Sequence, residues 1–236
     1  MSLLCRNRLM INEELRDPDQ RKFFSPATYV HHQATVPALV KYVHGKCIDI
    51  GCGDMPYKAV IAERVTEYHS LDRERRAPDV TFVGDVQNMS MLIDNTYDSA
   101  VCFDVLEHVP NPMQAISEIG RILKPQGTLI LSVPHLSRLH EEPHDFFRYT
   151  KYGLHTLLEN AGFDVLEMQT QGSLFSFLGH QFSTIFVCLF WRVPILKHVI
   201  FFMNKWLCVL PCSALDDMLD KKRLFALGYT CIARKA

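Results

Sequence analysis

Between residues 46 and 134, short apolar runs rich in β-branched residues alternate with segments of helical spacing. That alternation restricts the chain to repeated β-α units feeding a parallel sheet. Strands are predicted at 47–50, 67–71, 80–83, 97–103 and 128–133. The crossover before the fifth strand is the best marked. Asn111 is placed as an N-cap, and Pro112 takes the first helical position, where its missing N–H costs nothing. Ala115, Ile116, Ile119, Ile122 and Leu123 share one face, and Pro125-Gln-Gly127 is expected to stop the helix. Beyond the fifth strand, a loop over 135–149 is dense in His, acids and aromatics. Thr150 then caps a helix with an apolar stripe of Leu154, Leu157, Leu158 and Ala161, ended by Gly162. A sixth strand is predicted at 163–168, a last one at 225–233, and a helix at 27–43 that covers the sheet or the site.

The chain has 236 residues, 48% hydrophobic and 22% charged, which suits one large globular domain and excludes disorder, collagen and coiled coil. Lys+Arg 25 against Asp+Glu 26 leaves a formal charge of -1, so no global field draws a polyanion and no nucleic-acid partner is expected. The eight cysteines lie scattered in apolar stretches without a Cys-x-x-Cys pair, the pattern of reduced core thiols in a cytoplasmic protein. The segment MSLLCRNRLMINEELRD has no uninterrupted apolar run, so a cleaved secretory signal is not expected.

The first strand runs into Asp49-Ile50-Gly51-Cys52-Gly53-Asp54-Met55-Pro56-Tyr57. Gly-x-Gly alone fits any strand-to-helix turn, with Pro56 expected to start the next helix. A dinucleotide fingerprint wants a third glycine where this chain has Pro56. Asp72 closes the second strand, where a carboxylate can accept both hydroxyls of a ribose, a feature shared by dinucleotide and nucleoside sites. Asp85, after the third strand, suits an adenine amino group, and Phe103-Asp104-Val105-Leu106-Glu107-His108-Val109 ends the fourth. Polar groups at four consecutive strand ends define a ligand crevice at one edge of the sheet.

These segments together resemble the class I S-adenosylmethionine-dependent methyltransferases, in particular the broad small-molecule group. The resemblance covers about residues 44–170 and 225–233, and it is closest over DVLEHVPNPMQAISEIGRILKPQGTLILSVPH. It implies an α/β, Rossmann-like, seven-stranded, mostly parallel sheet with helices on both faces and an antiparallel last strand. The whole of 1–236 is then one methyltransferase domain: a helical cap at 1–45, a donor-binding core at 46–170, an apolar helical insertion at 171–222 and the last strand within 223–236. Carried over residue by residue, the resemblance puts Asp49, Gly51, Cys52 and Gly53 around the methionine part of S-adenosyl-L-methionine. It puts Asp72 on the ribose, Asp85 and Val86 on the adenine, and Phe103 with Asp104 near the sulfonium. Met55 departs from the glycine the family often has there.

Methyl transfer from a sulfonium is an in-line displacement, so the protein has to align the acceptor, exclude water and remove a proton. His108, His135, His140, His144 and Asp145 are the candidate bases. The segment from His140 to Thr150 resembles a Pro-His-Asp-aromatic-aromatic-Arg segment of methyltransferases found with cell-surface polysaccharide genes. His144 is expected to act as base or to position the acceptor, Asp145 to orient it and Arg148 to bind a polar acceptor group, with His135 as the other candidate base. A purely structural role, pinning the loop by hydrogen bonds, fits the same residues. His140, Glu141, His144 and Asp145 are also metal-ligand types, but Pro143 opposes the helix that would align the histidines, and no metal is expected.

Residues 174–211 contain both tryptophans and no Asp or Glu; Arg192, Lys197 and Lys205 are the firm charges. A spanning helix needs about 20 predominantly apolar residues, and Gly179, His180 and Gln181 interrupt the first run. Two short apolar helices divided by Arg192-Val-Pro194 are expected, lying among lipid headgroups of the cytoplasmic membrane face. A lid over the acceptor or a homodimer interface buries the same surface. The acceptor is expected to be an oxygen or nitrogen of a small molecule or glycoconjugate, lipid-linked if the insertion meets the bilayer. A quinone or other isoprenoid lipid is the alternative acceptor, and a donor-binding regulatory protein without catalysis is the alternative class.

Overall fold

The computed structural model describes residues 3–15 and 17–236. Seven strands form one sheet in the order β3-β2-β1-β4-β5-β7-β6. β1 (Lys46–Ile50) lies between β2 (Glu67–Asp72) and β4 (Tyr97–Phe103) and parallel to both, with β4 at the centre. β3 (Phe82–Val83) extends β2, and β5 (Leu123–Pro134) extends β4. β7 (Gly228–Lys235) runs antiparallel to β5, from Thr128 opposite Arg234 to Pro134 opposite Gly228, and β6 (Phe163–Gln171) lies beyond it.

Residue contacts divide the chain into two compact units. One comprises Thr35–Gln169 with Gly228–Ala236, and the other the residues up to Ala34 with Thr170–Leu227. In the sheet unit, Cys47, Val101, Ile130 and Ile232, one from each of four neighbouring strands, pack with Ile61 and with Ala38, Leu39 and Val43. Ala38 and Leu39 belong to the helix Pro26–Tyr42, which therefore covers the sheet. The helix Pro112–Ile122 starts on Asn111, whose side chain accepts the Gln114 N–H at 3.3 Å, and Thr150 caps Lys151–Asn160 through the Gly153 N–H at 3.1 Å.

Several boundaries differ from the sequence expectation; β3, for one, starts at Phe82 and not at 80. The helix after the glycine turn starts at Lys58, because Met55, at φ 54, makes an extra turn before it. Helix Pro112–Ile122 ends before Pro125, and Leu123 already belongs to β5, with Gln126 at φ 64 inside the strand. β7 starts at Gly228 and not at 225.

The helical unit contains α1 (Leu3–Glu14), the short α2 (Pro18–Arg21), and α7 (Leu174–Phe190), α8 (Pro194–Asn204) and α9 (Leu210–Leu219), numbered here in chain order after α3 (Pro26–Tyr42), α4 (Lys58–Ala62), α5 (Pro112–Ile122) and α6 (Lys151–Asn160). Two short apolar helices were expected, yet the second is long: α8 and α9 form one helical run, Pro194–Leu219, through a wide turn at Lys205–Val209. There the Leu210 N–H reaches back to the Lys205 carbonyl, a five-residue step that relaxes the ladder just where Pro211 would break it.

One small apolar cluster, with Ile11, Phe24, Val187, Trp191 and Ile200, holds this unit. Beside Val30, Val209 and Leu227, its interior also holds buried polar groups. Ser183 Oγ donates to Asn204 Oδ1 (2.7 Å) and to the Phe24 carbonyl (2.9 Å), while Asn204 Nδ2 donates to the Phe23 and Phe24 carbonyls. Asn7 Nδ2 donates to the Cys188 carbonyl at 2.7 Å. Buried Asp216 accepts the N–H groups of Ser173, Phe175 and Ser176 and so caps α7, whose own N-cap side chain makes no such bond. The outward faces are apolar: Leu178, Phe182, Ile185, Phe186 and Leu189 on α7, and Ile195, Val199, Phe202, Met203, Trp206 and Leu207 along the following run.

Candidate methyl-donor and acceptor site

The register brings the predicted strand ends together. Ile50 pairs with Leu71 on one side and Cys102 on the other, Asp72 with Val83, and Phe103 with Ser132. Chain leaving β1 turns sharply because the N–H groups of Gly51 and Cys52 both reach the Leu71 carbonyl, at 2.7 and 3.2 Å. Gly51 has φ +69, and a Cβ there would stand 2.2 Å from Val105 Cγ2, so only glycine fits. Gly53, at φ +52, faces open space: a Cβ would meet nothing within 4 Å, which leaves room for a ligand against bare backbone.

Asp72 is buried and ties this turn to β2. Its Oδ2 accepts the Gly53 N–H at 2.8 Å and its Oδ1 the Glu74 N–H at 3.1 Å. Asp49, also buried, accepts the Tyr68 hydroxyl at 2.9 Å, and burial pushes its carboxyl up to about 7. Cys52 is buried beside it, and burial likewise raises its thiol to about 12, so it stays protonated. Asp85 is exposed and accepts the Gln87 N–H at 2.8 Å, whereas Val86 is buried. The Phe103 ring meets Tyr57 edge-on at 5.3 Å. Asp104, exposed and at φ 53, accepts the Ser132 hydroxyl at 2.8 Å. Tyr57 and Tyr68 were not singled out from the sequence. Period-2 alternation along β2 puts Tyr68 on a defined face, but only the parallel register sets it against Asp49.

The acceptor loop folds back onto the turn after β4. The N–H groups of Phe146 and Phe147 donate to the Glu107 carbonyl, and the Tyr149 hydroxyl to the Leu106 carbonyl at 2.9 Å. Inside the loop the expected roles change. Asp145 does not orient His144. Its carboxylate takes Arg148 Nη1 (2.6 Å) and Nη2 (2.8 Å) and the His140 N–H (2.8 Å), and the guanidinium holds it well below the usual carboxylate range. Arg148 makes this pair and also donates to the carbonyls of Ser137, Arg138 and Phe147, contacts that staple the loop. His144 is exposed, and its carbonyl lies 2.6 Å from His108 Nδ1. His135 leans on Tyr229 at 5.7 Å, with its Nδ1 buried and without a hydrogen-bond partner among the described residues. His108 and His140 stand edge-to-face at 4.8 Å over Glu107. Burial pushes the Glu107 carboxyl up, and Glu107 in turn raises the His140 imidazole. Glu107 was read in the sequence only as part of a strand-end segment; its buried neighbours Leu106 and Val109 are the signal that it points inward.

A model of the methyltransferase domain matches residues 27–168. The chain belongs to the methyltransferase-domain family. Its strand order, with an antiparallel strand inserted before the last position, is that of the class I S-adenosylmethionine-dependent methyltransferase fold. A SAM-dependent methyltransferase from Archaeoglobus fulgidus superposes with a TM-score of 0.58 at 16% identity, covering 97% of this chain and 99% of that one. The [4+2]-cyclase SpnF superposes with a TM-score of 0.57 at 19% identity, covering 85% of this chain and 80% of that one. Among curated relatives, a ubiquinone biosynthesis O-methyltransferase of Xanthomonas campestris pv. campestris is 28% identical over 113 residues, which are 41% of this chain and 46% of that protein. The family member described here thus matches less than half the length of that relative.

Proposed function

We propose that this methyltransferase-domain protein transfers a methyl group from S-adenosylmethionine to an oxygen or nitrogen of a small molecule or glycoconjugate carried on a lipid. The observation that carries the reading is the row of strand ends where Asp72 holds the turn with the open backbone of Gly53, Asp49 lies in β1 just before that turn, and Asp85 and Asp104 follow β3 and β4. The donor supplies a methyl already activated on a sulfonium. Asp72, held by two backbone N–H groups, keeps its remaining lone pairs for the ribose hydroxyls. Asp85 and Val86 receive the adenine, and the turn from Asp49 to Gly53 receives the methionine part. His144 and His135 are the imidazoles left to take the acceptor's proton. Calorimetry with donor and with demethylated product tests the pocket, and absence of binding overturns the reading. His144→Ala is expected to keep donor binding and lose turnover; full turnover in that variant would remove His144 from the chemistry.

The likeness to a ubiquinone biosynthesis O-methyltransferase supports a second reading, in which the acceptor is a hydroxyl of a quinone-type isoprenoid lipid. Labelled donor, incubated with native extract that is then split into lipid and aqueous phases, separates the two by where the label goes. The likeness to a cyclase of the same fold keeps a third outcome in view, donor binding without transfer, which gives no label in either phase.

We further propose that the helical unit rests on the cytoplasmic face of a membrane. Pro194–Leu219 is long and apolar enough to cross a bilayer, yet Lys197, His198, Asn204 and Lys205 fall within it, which suits a helix lying in the headgroup plane. Its firm charges from Leu174 to Leu215 are all cationic, matching anionic lipid. All seven described cysteines are free, in keeping with a reducing compartment. Flotation with anionic vesicles tests this. Doubling of the solution mass without flotation would assign the same surface to a homodimer instead.

A further inference from the structure

We propose that Glu107, His108 and His140 form a binding site for one divalent transition-metal ion. Two imidazole nitrogens and one carboxylate oxygen, one from each residue, all lie within 4.8 Å of one another. Such a donor set suits Zn²⁺, Co²⁺ or Fe²⁺ better than Mg²⁺ or Ca²⁺.

Glu107 carries the argument. Its side chain is 0% exposed, and neither carboxylate oxygen accepts a hydrogen bond among the described residues. A buried carboxylate without donors is costly, and such groups are ordinarily paired or coordinate a metal. The nearest candidates are His108 Nε2 at 3.7 Å and His140 Nε2 at 3.8 Å from Oε1, both beyond hydrogen-bond reach. An ion about 2.1 Å from each donor holds its ligands about 3.0–3.4 Å apart. Small side-chain rotations therefore close the site around a cation.

The proton positions fit as well. His108 Nδ1 lies 2.6 Å from the His144 carbonyl, which can only accept, so Nδ1 carries the proton and the Nε2 lone pair faces Glu107. His140 Nδ1 lies 3.2 Å from the Arg138 carbonyl, an acceptor that places the proton on Nδ1 and leaves Nε2 for a metal; the guanidinium donor Arg148 Nη2 is 3.4 Å from the same nitrogen. Backbone carbonyls and carboxylates on the far nitrogen of each imidazole are the usual supports of metal-bound histidine. The Asp145–Arg148 staple acquires a purpose here: it fixes the loop that presents His140.

Three protein ligands leave coordination positions open, and both imidazoles reach the surface. The segment lies directly after Asp104 at the end of β4. Resting on the methyl-transfer reading, the open positions hold the acceptor by an oxygen atom, which makes hydroxyl compounds the preferred acceptor class.

Titration of the full chain with Co²⁺, followed by visible absorption, tests the site, with Zn²⁺ as competitor. One Co²⁺ per chain is expected, with affinity at least tenfold weaker in Glu107→Gln and in His140→Ala, and unchanged in Cys208→Ser/Cys212→Ser. Should Glu107→Gln fail to fold, His140→Ala on the surface loop carries the comparison. Equal Co²⁺ affinity in wild type and His140→Ala, or no stoichiometric binding, overturns the proposal. Donor calorimetry on the same preparation keeps the two readings apart: donor binding without Co²⁺ removes the metal site alone, and Co²⁺ binding without donor removes the methyl-transfer reading alone.

Discussion

In the sheet unit, Ile48, Ile50, Val101 and Ile130 are inside and carboxylates gather at the strand ends, whereas in the helical unit Ser183, Asn204 and Asp216 are inside and Phe182, Phe202 and Trp206 outside. The first arrangement is what water selects: apolar surface is removed, and polar groups stand where a ligand reaches them. The second reverses the sign. Small and polar side chains joining helices, with large apolar ones facing out, are what a lipid environment selects, because contacts between helices then gain more from hydrogen bonds and close approach than from burying hydrocarbon. On the membrane reading proposed above, one chain carries two solutions to two solvents.

The contrast can be broken from either side. Asp72→Ala frees the Gly53 and Glu74 N–H groups and removes the proposed ribose contact, so donor affinity should fall a hundredfold or more by calorimetry while vesicle flotation stays as it was. Asp216→Ala leaves three backbone N–H groups of α7 without their buried acceptor and should cost about 2–3 kcal/mol in denaturant unfolding; a loss under about 0.5 kcal/mol would mean that this polar interior does not hold the helices. Phe202→Asp together with Trp206→Asp should weaken binding to anionic vesicles at least tenfold and leave donor affinity untouched. Unchanged flotation would take the outward face away from lipid.

A pH-dependent effect concerns Asp49, whose carboxyl is raised from 3.8 to about 7 by burial. Across that interval the folded protein holds a proton that the unfolded chain has released, so stability declines as pH rises, and the full cost stands above about pH 7. Asp49→Asn should be more stable than wild type at pH 8, by up to about 4 kcal/mol, and indistinguishable from it at pH 4. The reverse trend, with the variant weaker at pH 8, would show that the ionised carboxylate is paired more strongly than Tyr68 alone allows.

Much of the sheet unit was legible in the sequence, because buried parallel strands are short β-branched runs and their ends follow from where each run stops. Asp72, Asp85 and Asp104 fall at those ends without any knowledge of register. The Tyr68–Asp49 bond and the Asp145–Arg148 staple were not legible, since both depend on how a loop or a neighbouring strand is laid down. The pairing expected for His144 failed for the same reason: Arg148 is a stronger and closer partner for Asp145 than a neutral imidazole. In the helical unit, Pro211 would break a four-residue ladder, and the wider turn before it removes that conflict, so the second apolar helix runs on beyond the acid-free segment. Glu107 escaped notice because a single carboxylate among apolar neighbours carries no periodic signal.

The placement of β7 bears on how the chain assembles. β6 joins the sheet only through β7, and β7 is made after the intervening residues 172–227. During synthesis β5 therefore waits with an open edge while the apolar helices emerge, so the last strand to be made closes both the sheet and the period of greatest exposure to aggregation.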